Sequence, residues 1–433
     1  MAVAPGVAAR ARSWSPPERV ALQSIEERLS PLTIDAMEQR TVLISGASIA
    51  GPALAFWLAR RRLRPVVVER AGALRRGGQN VDIRGAARTV VRRMGIEEAI
   101  RAATTGEKGV RFVDARDVTR AEFPAGTSES GGMTAEVEIL RGELAGILYE
   151  RTRDDVEYIF GDTIAGLRDA GDRITVSFDR GGERDFDLVI AADGMWSRTR
   201  SLVVGDDFEI RELGVCIAYL TIPRGASDGA WARWHNAPGG RVVALRPDNV
   251  GTTRALLSFL SPPRGHEGRC ADEQKALLRR TFADVEWEAP RVLAALGESA
   301  DLYFESIGQV RSPRWSRGRC ALVGDAGYCA SPISGMGTSL ALVGAYVLAG
   351  ELATRAHHGD AFASYERIMR PYVDLAQKLP LGVPRLMYPK TKLGIALFRA
   401  GLRLASSPPF RRGLVSPPAD AIDLPDYGKA GAG

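Results

Sequence analysis

The sequence predicts an α/β protein in which an alternating strand and helix domain is interrupted by an inserted β-sheet domain and followed by a C-terminal helical region. Three observations predict this. Apolar, β-branched strands such as TVLIS from Thr41 and PVVVE from Pro65 alternate with helical stretches. Between Leu213 and Phe304 the pattern changes to short β-rich runs, CIAYLTIP, GRVVALRP and RALLSFLSPP, separated by Gly, Pro and Asn. From Tyr372 onward the chain is mostly helical and apolar. A chain of 433 residues exceeds what one compact core holds, so two closely packed domains are expected.

The elements follow in order. Met1 to Glu38 mixes SPPER and SPL with charged residues and predicts a mobile extension; Val20, Leu22, Ile25 and Leu29 give it one short helix. At Thr41 a strand, a tight turn, a helix from Pro52 to Arg62 and a strand from Pro65 to Glu69 form a βαβ opening, which makes the domain Rossmann-like. A helix around Arg141 and the strand FDLVIAADG, ending at Asp193, continue the alternation. It returns after the inserted sheet with RCALVGDAG and a long helix from near Thr338. The expected division is 1–38 extension, 39–205 with 306–371 nucleotide domain, 206–305 sheet domain, and 372–433 helical region, whose last residues, SPPADAIDLPDYGKAGAG, read as frayed.

Composition excludes several functions. The charge of +6 is an Arg excess scattered along the chain, without clustered cations interleaved with aromatics, so no nucleic-acid partner is expected. Cys216, Cys270, Cys320 and Cys329 form no CxxC pair, and His235, His266, His357 and His358 have no ligand spacing, so no metal is expected. The N-terminus lacks a signal-type apolar core, and the most apolar run, SLALVGAYVLAG, is ended by Glu351 and reads as a buried helix. No membrane partner and a cytoplasmic location are the expectation.

The turn ISGASIAGPALAF carries the chemistry. In a βα turn of this type the first glycine permits the chain reversal, the second lets a pyrophosphate approach, and the third lets helix and strand pack closely. Here the positions are Gly46, Ser48 and Gly51, with Ile49 and Ala50 between. Ser48 narrows the site, and its hydroxyl can donate to a phosphate oxygen. Glu69 ends the second strand, where a carboxylate accepts both ribose hydroxyls, which favours FAD or NAD over NADP; Arg70 beside it can also meet a phosphate. Two later segments, DLVIAADGMWSRTR with Asp193 and Gly194, and RCALVGDAG with Gly324 and Asp325, also place Asp and Gly at the carboxyl end of a strand.

With GASIAG, ADG and GDA in this order from about Thr41 to Tyr372, the chain resembles the FAD-dependent aromatic hydroxylases of the para-hydroxybenzoate hydroxylase family, most closely the branch that modifies tetracyclines and other aromatic polyketides. The resemblance implies that the pyrophosphate lies over Gly46 to Gly51, Glu69 holds the ribose, Arg141 contacts the nucleotide and Asp325 binds the ribityl chain. It further implies that Asp193 serves both FAD and nicotinamide, that Pro332, Gly335, Met336 and Gly337 lie against the flavin ring, and that Asp82 and Arg84 run beside it. The chain departs from the family at Tyr328, where a His is frequent, and at Met336, where a Gln is usual.

The implied reaction is reduction of FAD by NADPH or NADH, visiting transiently, and delivery of one oxygen atom of O₂ through a flavin hydroperoxide to a small aromatic substrate, expected to be a polycyclic, polyketide-like phenol. Tyr219, Trp231, Trp234 and Phe259 of the inserted sheet are candidate pocket residues, with ordinary sheet packing the alternative for each. Arg211, Arg241 and Arg246 are candidates to meet a phenolate or acid, or else solvated surface. Rival outcomes on the same fold are a halogenase (though WARW lacks the family's WxWxIP pattern), a Baeyer-Villiger oxygenase, an isoprenoid reductase or epoxidase, and a catalytically silent flavoprotein partner.

Overall fold

The computed structural model describes residues 40–75, 77–126, 137–262, 270–299, 301–380, 382–407 and 422–428. The expected extension, with Met1 to Glu38, lies outside them. Two sheets dominate. The first has the order Ser316–Arg317, Cys320–Leu322, Leu188–Ala191, Thr41–Ser45, Arg64–Glu69, Glu157–Phe160, parallel except at the Ser316–Arg317 edge. Its central strands are almost wholly buried, as parallel strands covered on both faces must be.

Two helices lie against it. Ala50–Ala59 and Gly337–Thr354 are rich in Gly and Ala, so their backbones approach closely, and Trp57 meets Tyr346 edge to face with ring centroids 5.0 Å apart. The longer helix is long and apolar enough to span a membrane, yet 78% of it is buried inside the protein, which makes it the core helix. Each of its buried leucines and valines contributes about 1.5–3 kcal/mol through removal from water.

The second sheet has seven strands in the order Tyr303–Arg311, Glu209–Pro223, Thr252–Leu260, Arg241–Pro247, Ala232–Ala237, Gly109–Val113, Thr119–Pro124. Side chains alternate between its faces. Cys216, Ala218 and Leu220 point to the helices Ala271–Phe282 and Ala289–Ala295, packing with Phe282 and Leu278. Val215, Ile217 and Tyr219 point the other way, toward the first domain. One face is thus a core and the other a wall.

The sheet differs in membership from the division expected from sequence. Gly109–Val113 and Thr119–Pro124, expected within the nucleotide domain, extend the inserted sheet instead, because Gly109–Val113 pairs in parallel with Ala232–Ala237. Such a pairing joins strands more than a hundred residues apart, so no local pattern reports it. Tyr303–Arg311 likewise crosses the expected boundary at 305/306, and the helix His358–Ala376 crosses the one at 371/372.

The described part of the tail is docked, which corrects its reading as frayed. Tyr427 donates to Glu351 Oε1 (2.7 Å) and packs against Tyr346 and Gly350, while the Tyr346 hydroxyl donates to the Pro425 carbonyl (2.9 Å). The glycine at 350 leaves the space that the ring fills. Tyr427→Ala removes both the ring contact and the bond to a buried carboxylate, and is expected to cost about 2 kcal/mol, read as a melting temperature lower by a few degrees.

Candidate active site

The first strand ends at a turn built by close approach. Gly46, at φ 105°, donates its N–H to the Val68 carbonyl (2.7 Å), and a Cβ there would sit 2.6 Å from the Ala192 oxygen. A Cβ on Gly51 would sit 1.9 Å from the Gly46 oxygen. No side chain fits at either position, so the turn rises between strands and opens the N-terminus of the helix Ala50–Ala59. That helix has no side-chain cap and no acidic residue in its first turn, leaving its amides and positive dipole end for an anion.

Glu69 is fixed on both sides. Oε2 accepts from the Ala47 N–H and Oε1 from the Ala71 N–H, each at 2.9 Å. A carboxylate has about four acceptor positions, so both oxygens retain capacity for ribose hydroxyls. Ser48, Ile49, Ala50, Glu69 and Arg70 all line one cavity of about 1240 Å³ that continues past Asp82, Arg141, Asp193 and Asp325 to the wall of the second sheet.

Further along, Asp325 follows Gly324, whose φ of 65° and contact with Ala50 favour the residue without a side chain. Burial raises the Asp325 pKa, with Arg141 pulling against it. The loop holding Pro332 and Gly335 crosses between two carboxylates: a Cβ on Gly335 would lie 3.8 Å from Asp82 Oδ2, and one on Gly337 3.8 Å from Asp325 Oδ1. Asp82 pairs with Arg84 at 2.7 Å. Ser331 Oγ and Gln79 Oε1, both lining the cavity, are buried with no hydrogen-bond partner in the protein. Orphaned polar atoms of this kind mark where a ligand's polar groups belong.

Not every candidate faces the cavity. Met336 is fully buried in the core of the first domain, because the start of the long helix turns its side chain inward. Gly51 and Gly324 act through packing. The Asp193 carboxylate is engaged by the Ser197 hydroxyl (2.5 Å) and by the N–H and hydroxyl of Thr199 (3.2 and 3.0 Å), so it anchors the helix Arg198–Val204 at the cavity edge. Tyr328 bonds to the Tyr365 hydroxyl (2.8 Å) in the core rather than lining the cavity.

Of the sheet aromatics, Tyr219 and Trp234 line the cavity. Phe259 faces the other side against Phe282, centroids 6.2 Å apart, and Trp231 is covered by the Arg111 guanidinium at 4.4 Å. Arg211 is exposed and Arg241 pairs with Asp284, both away from the cavity. Arg246 does enter it and is not solvated surface: it is bound bidentately by Glu107 (2.9 Å each) and paired with Glu138. Sequence reasoning missed Tyr303 and Glu305, which line the cavity with the Tyr303 hydroxyl donating to Glu305 Oε2 (2.7 Å). The available signal was slight, an acid two residues from Ile307 on the same face of a strand that also carries Ser306, Gln309 and Arg311.

A turn that no Cβ tolerates, an uncapped helix start, a ribose-type carboxylate and a buried acid at the far end together fit a dinucleotide carrying a flavin. Residues 39–376 match the model of the FAD binding domain family. The chain belongs to this family. It is a flavin-dependent monooxygenase, and it is similar to a flavin-dependent monooxygenase from an unknown prokaryotic organism, 37% identical over 90% of this chain and 99% of that one. An uncharacterized protein of Mycobacterium tuberculosis is 39% identical over 80% of this chain and 95% of its own length. Among solved structures, the tetracycline destructase Tet(55) superposes with a TM-score of 0.75 at 35% identity, covering 90% of this chain and 99% of that one. The enzyme's cofactor is FAD, with a nicotinamide nucleotide as the family's donor.

Two variants check this site. Gly46→Ala is expected to abolish FAD retention, since the new Cβ meets the Ala192 carbonyl. Asp325→Asn, which keeps shape and removes charge, should weaken FAD binding about ten-fold by fluorescence titration, corresponding to roughly 1.4 kcal/mol.

Proposed function

We propose that the enzyme uses NAD(P)H and O₂ to insert one oxygen atom into a polycyclic, phenolic, polyketide-like small molecule. The observation that carries the reading is the wall of the cavity. Ile217, Tyr219, Trp234, Ala244 and Leu256 form a broad apolar surface facing the nucleotide segments, with Met387 and Tyr388 at its side. A flat ring system fits between such a wall and a flavin.

Charge supports the same class. The sheet sends three guanidinium groups to the cavity, and each is held by protein carboxylates: Arg233 by Asp228 and Glu288, Arg246 by Glu107 and Glu138, Arg254 by Asp248 and Asp301. A benzoate would need such a group free for a bidentate clamp. The tetracycline destructase neighbour is named for a polycyclic substrate, which agrees with this reading.

When bound, the reduced flavin supplies the activated oxygen. The chain's own residues position the ring, exclude water and move a proton. Trp234 lines the cavity, and its Nε1 is buried without a protein partner. Glu305 is pushed up to about 7 by burial, which outweighs Arg141 nearby. Its carboxylate, reached through the Tyr303 hydroxyl, is the acceptor for the proton of a substrate phenol, whose ionised form is the more electron-rich ring.

The sign of the pH effect follows. An acid with a raised pKa is neutral below about 7 and able to accept a proton only above it, so substrate-dependent turnover should rise with pH through that value. Glu305→Gln is expected to flatten this limb and to lower kcat about a hundred-fold, while FAD affinity stays near wild type. An unchanged pH profile in that variant would remove Glu305 from the proton path. The overall reaction is tested with ¹⁸O₂ and mass spectrometry across a panel of polycyclic phenols. One labelled oxygen in the product, with NAD(P)H consumed, is the expected result; a halogenated or reduced product, or no turnover by FAD-loaded protein, would transfer the assignment to a rival chemistry.

A further inference from the structure

Arg residues are scattered along the chain, but the net positive charge is not, which corrects its reading as a dispersed excess: it falls in one segment of the sequence. From Asp374 to Asp420 there is no intervening carboxylate, yet eight Lys and Arg lie between Lys378 and Arg412, which leaves 50 basic against 52 acidic residues elsewhere. The net excess of +6 therefore comes wholly from this segment.

The same segment carries the most exposed apolar side chains among the described residues. Leu386, Leu393, Leu397 and Leu404 are 62%, 71%, 66% and 58% accessible, and the next, Val250, is 53%. On the helix Lys392–Ala405, residues 393, 397 and 404 recur at i, i+4 and i+11 and so form one stripe. Ile395, Phe398 and Leu402 form the opposite stripe, packed on the second sheet, with Phe398 edge to face on Phe112 at 6.1 Å. Lys392, Arg399 and Arg403 fall along one flank between them. A surface helix in water needs one apolar face; this one has two.

The helix is fastened firmly. Arg399 donates to the Val113 carbonyl (3.0 Å), the Gly239 N–H to the Lys390 carbonyl (2.8 Å), and Asn236 Nδ2 to the Met387 carbonyl (2.8 Å), beside the part of the segment that lines the cavity. The outward leucines are thus presented by a rigid support rather than by a loose end.

We propose that this face is a peripheral docking surface for an anionic lipid bilayer. The cations meet the headgroups while Leu393, Leu397 and Leu404 enter the boundary with the acyl chains, two weak signals that together give stable attachment where either alone does not. Self-association is the poorer match, because a symmetric dimer through this face would bring two acid-free cationic segments together. Docking would set the wall at Met387 and Tyr388 near the membrane, where apolar polycyclic molecules partition. The lipid contact itself does not depend on the substrate assignment.

The test is flotation of the FAD-loaded full chain with vesicles of phosphatidylcholine alone and of an equimolar mixture with phosphatidylglycerol. Binding to the mixed vesicles, weakened by salt and near absent on the neutral ones, is expected. The triple variant Leu393→Ser, Leu397→Ser, Leu404→Ser should lower the partition coefficient about ten-fold or more, with FAD content and melting temperature unchanged because these side chains have no buried partner to lose. Failure of the wild type to float with the mixed vesicles, equal binding to both compositions, or a dimer in sedimentation velocity that the triple variant dissociates would each overturn the proposal.

Discussion

The structure depends on one steric constraint, the approach of backbone to backbone at Gly46 and Gly51. The Gly46 position lies within 3 Å of the Ala192 carbonyl and the Gly51 position within 2 Å of the Gly46 oxygen, as measured to a Cβ that is not there. Because the chain passes so closely, the start of the helix Ala50–Ala59 stands directly over the ends of the first two parallel strands. Glu69, at the end of the second, then reaches the Ala47 amide. A methyl group at either glycine would push the helix outward and separate its N-terminal amides from the Glu69 carboxylate.

From that fixed end the cavity is organised by distance along the cofactor. The nucleotide half is polar and borrows main-chain groups; the far half is apolar and borrows side chains from a different sheet. Alternation along Glu209–Pro223 and Thr252–Leu260 gives that sheet two unlike faces, one sealed by helices with Phe282 and Leu278, the other open to the cavity. Charges admitted to the open face are neutralised in place, as with Arg246 between Glu107 and Glu138. Burial nevertheless raises the pKa of Glu138 as well as that of Glu305. Glu305 is bonded by the Tyr303 phenol, and burial outweighs that bond and the Arg141 guanidinium, which leaves it able to change charge near neutrality.

Much of the nucleotide site was legible in the sequence because its parts are local. A strand, a glycine turn and an uncapped helix lie within twenty residues, and the Asp-Gly strand ends at 193 and 325 announce themselves by an apolar run stopped by a polar pair. Face selection was less legible. Tyr219 and Trp234 reach the cavity while Trp231 and Phe259 do not, although all four sit in similar β-rich runs. Trp231 precedes the strand Ala232–Ala237, and Phe259 lies on the opposite side of the sheet from Tyr219; a strand's two sides are equivalent until something packs against one of them.

The sequence by itself determined the order of elements, the dinucleotide turn and the flavin family. These depend on contacts between residues near one another in the chain, or on residue types alone. Only the tertiary structure decided that 109–124 completes the second sheet, that Met336 faces the core, that Arg246 is spent on Glu107 and Glu138, that Tyr427 docks on Gly350, and that the Lys392–Ala405 helix keeps an apolar stripe turned outward. Each of these is settled by partners more than thirty residues away, whose approach is set by the packing of whole sheets and helices and leaves no mark in the local sequence.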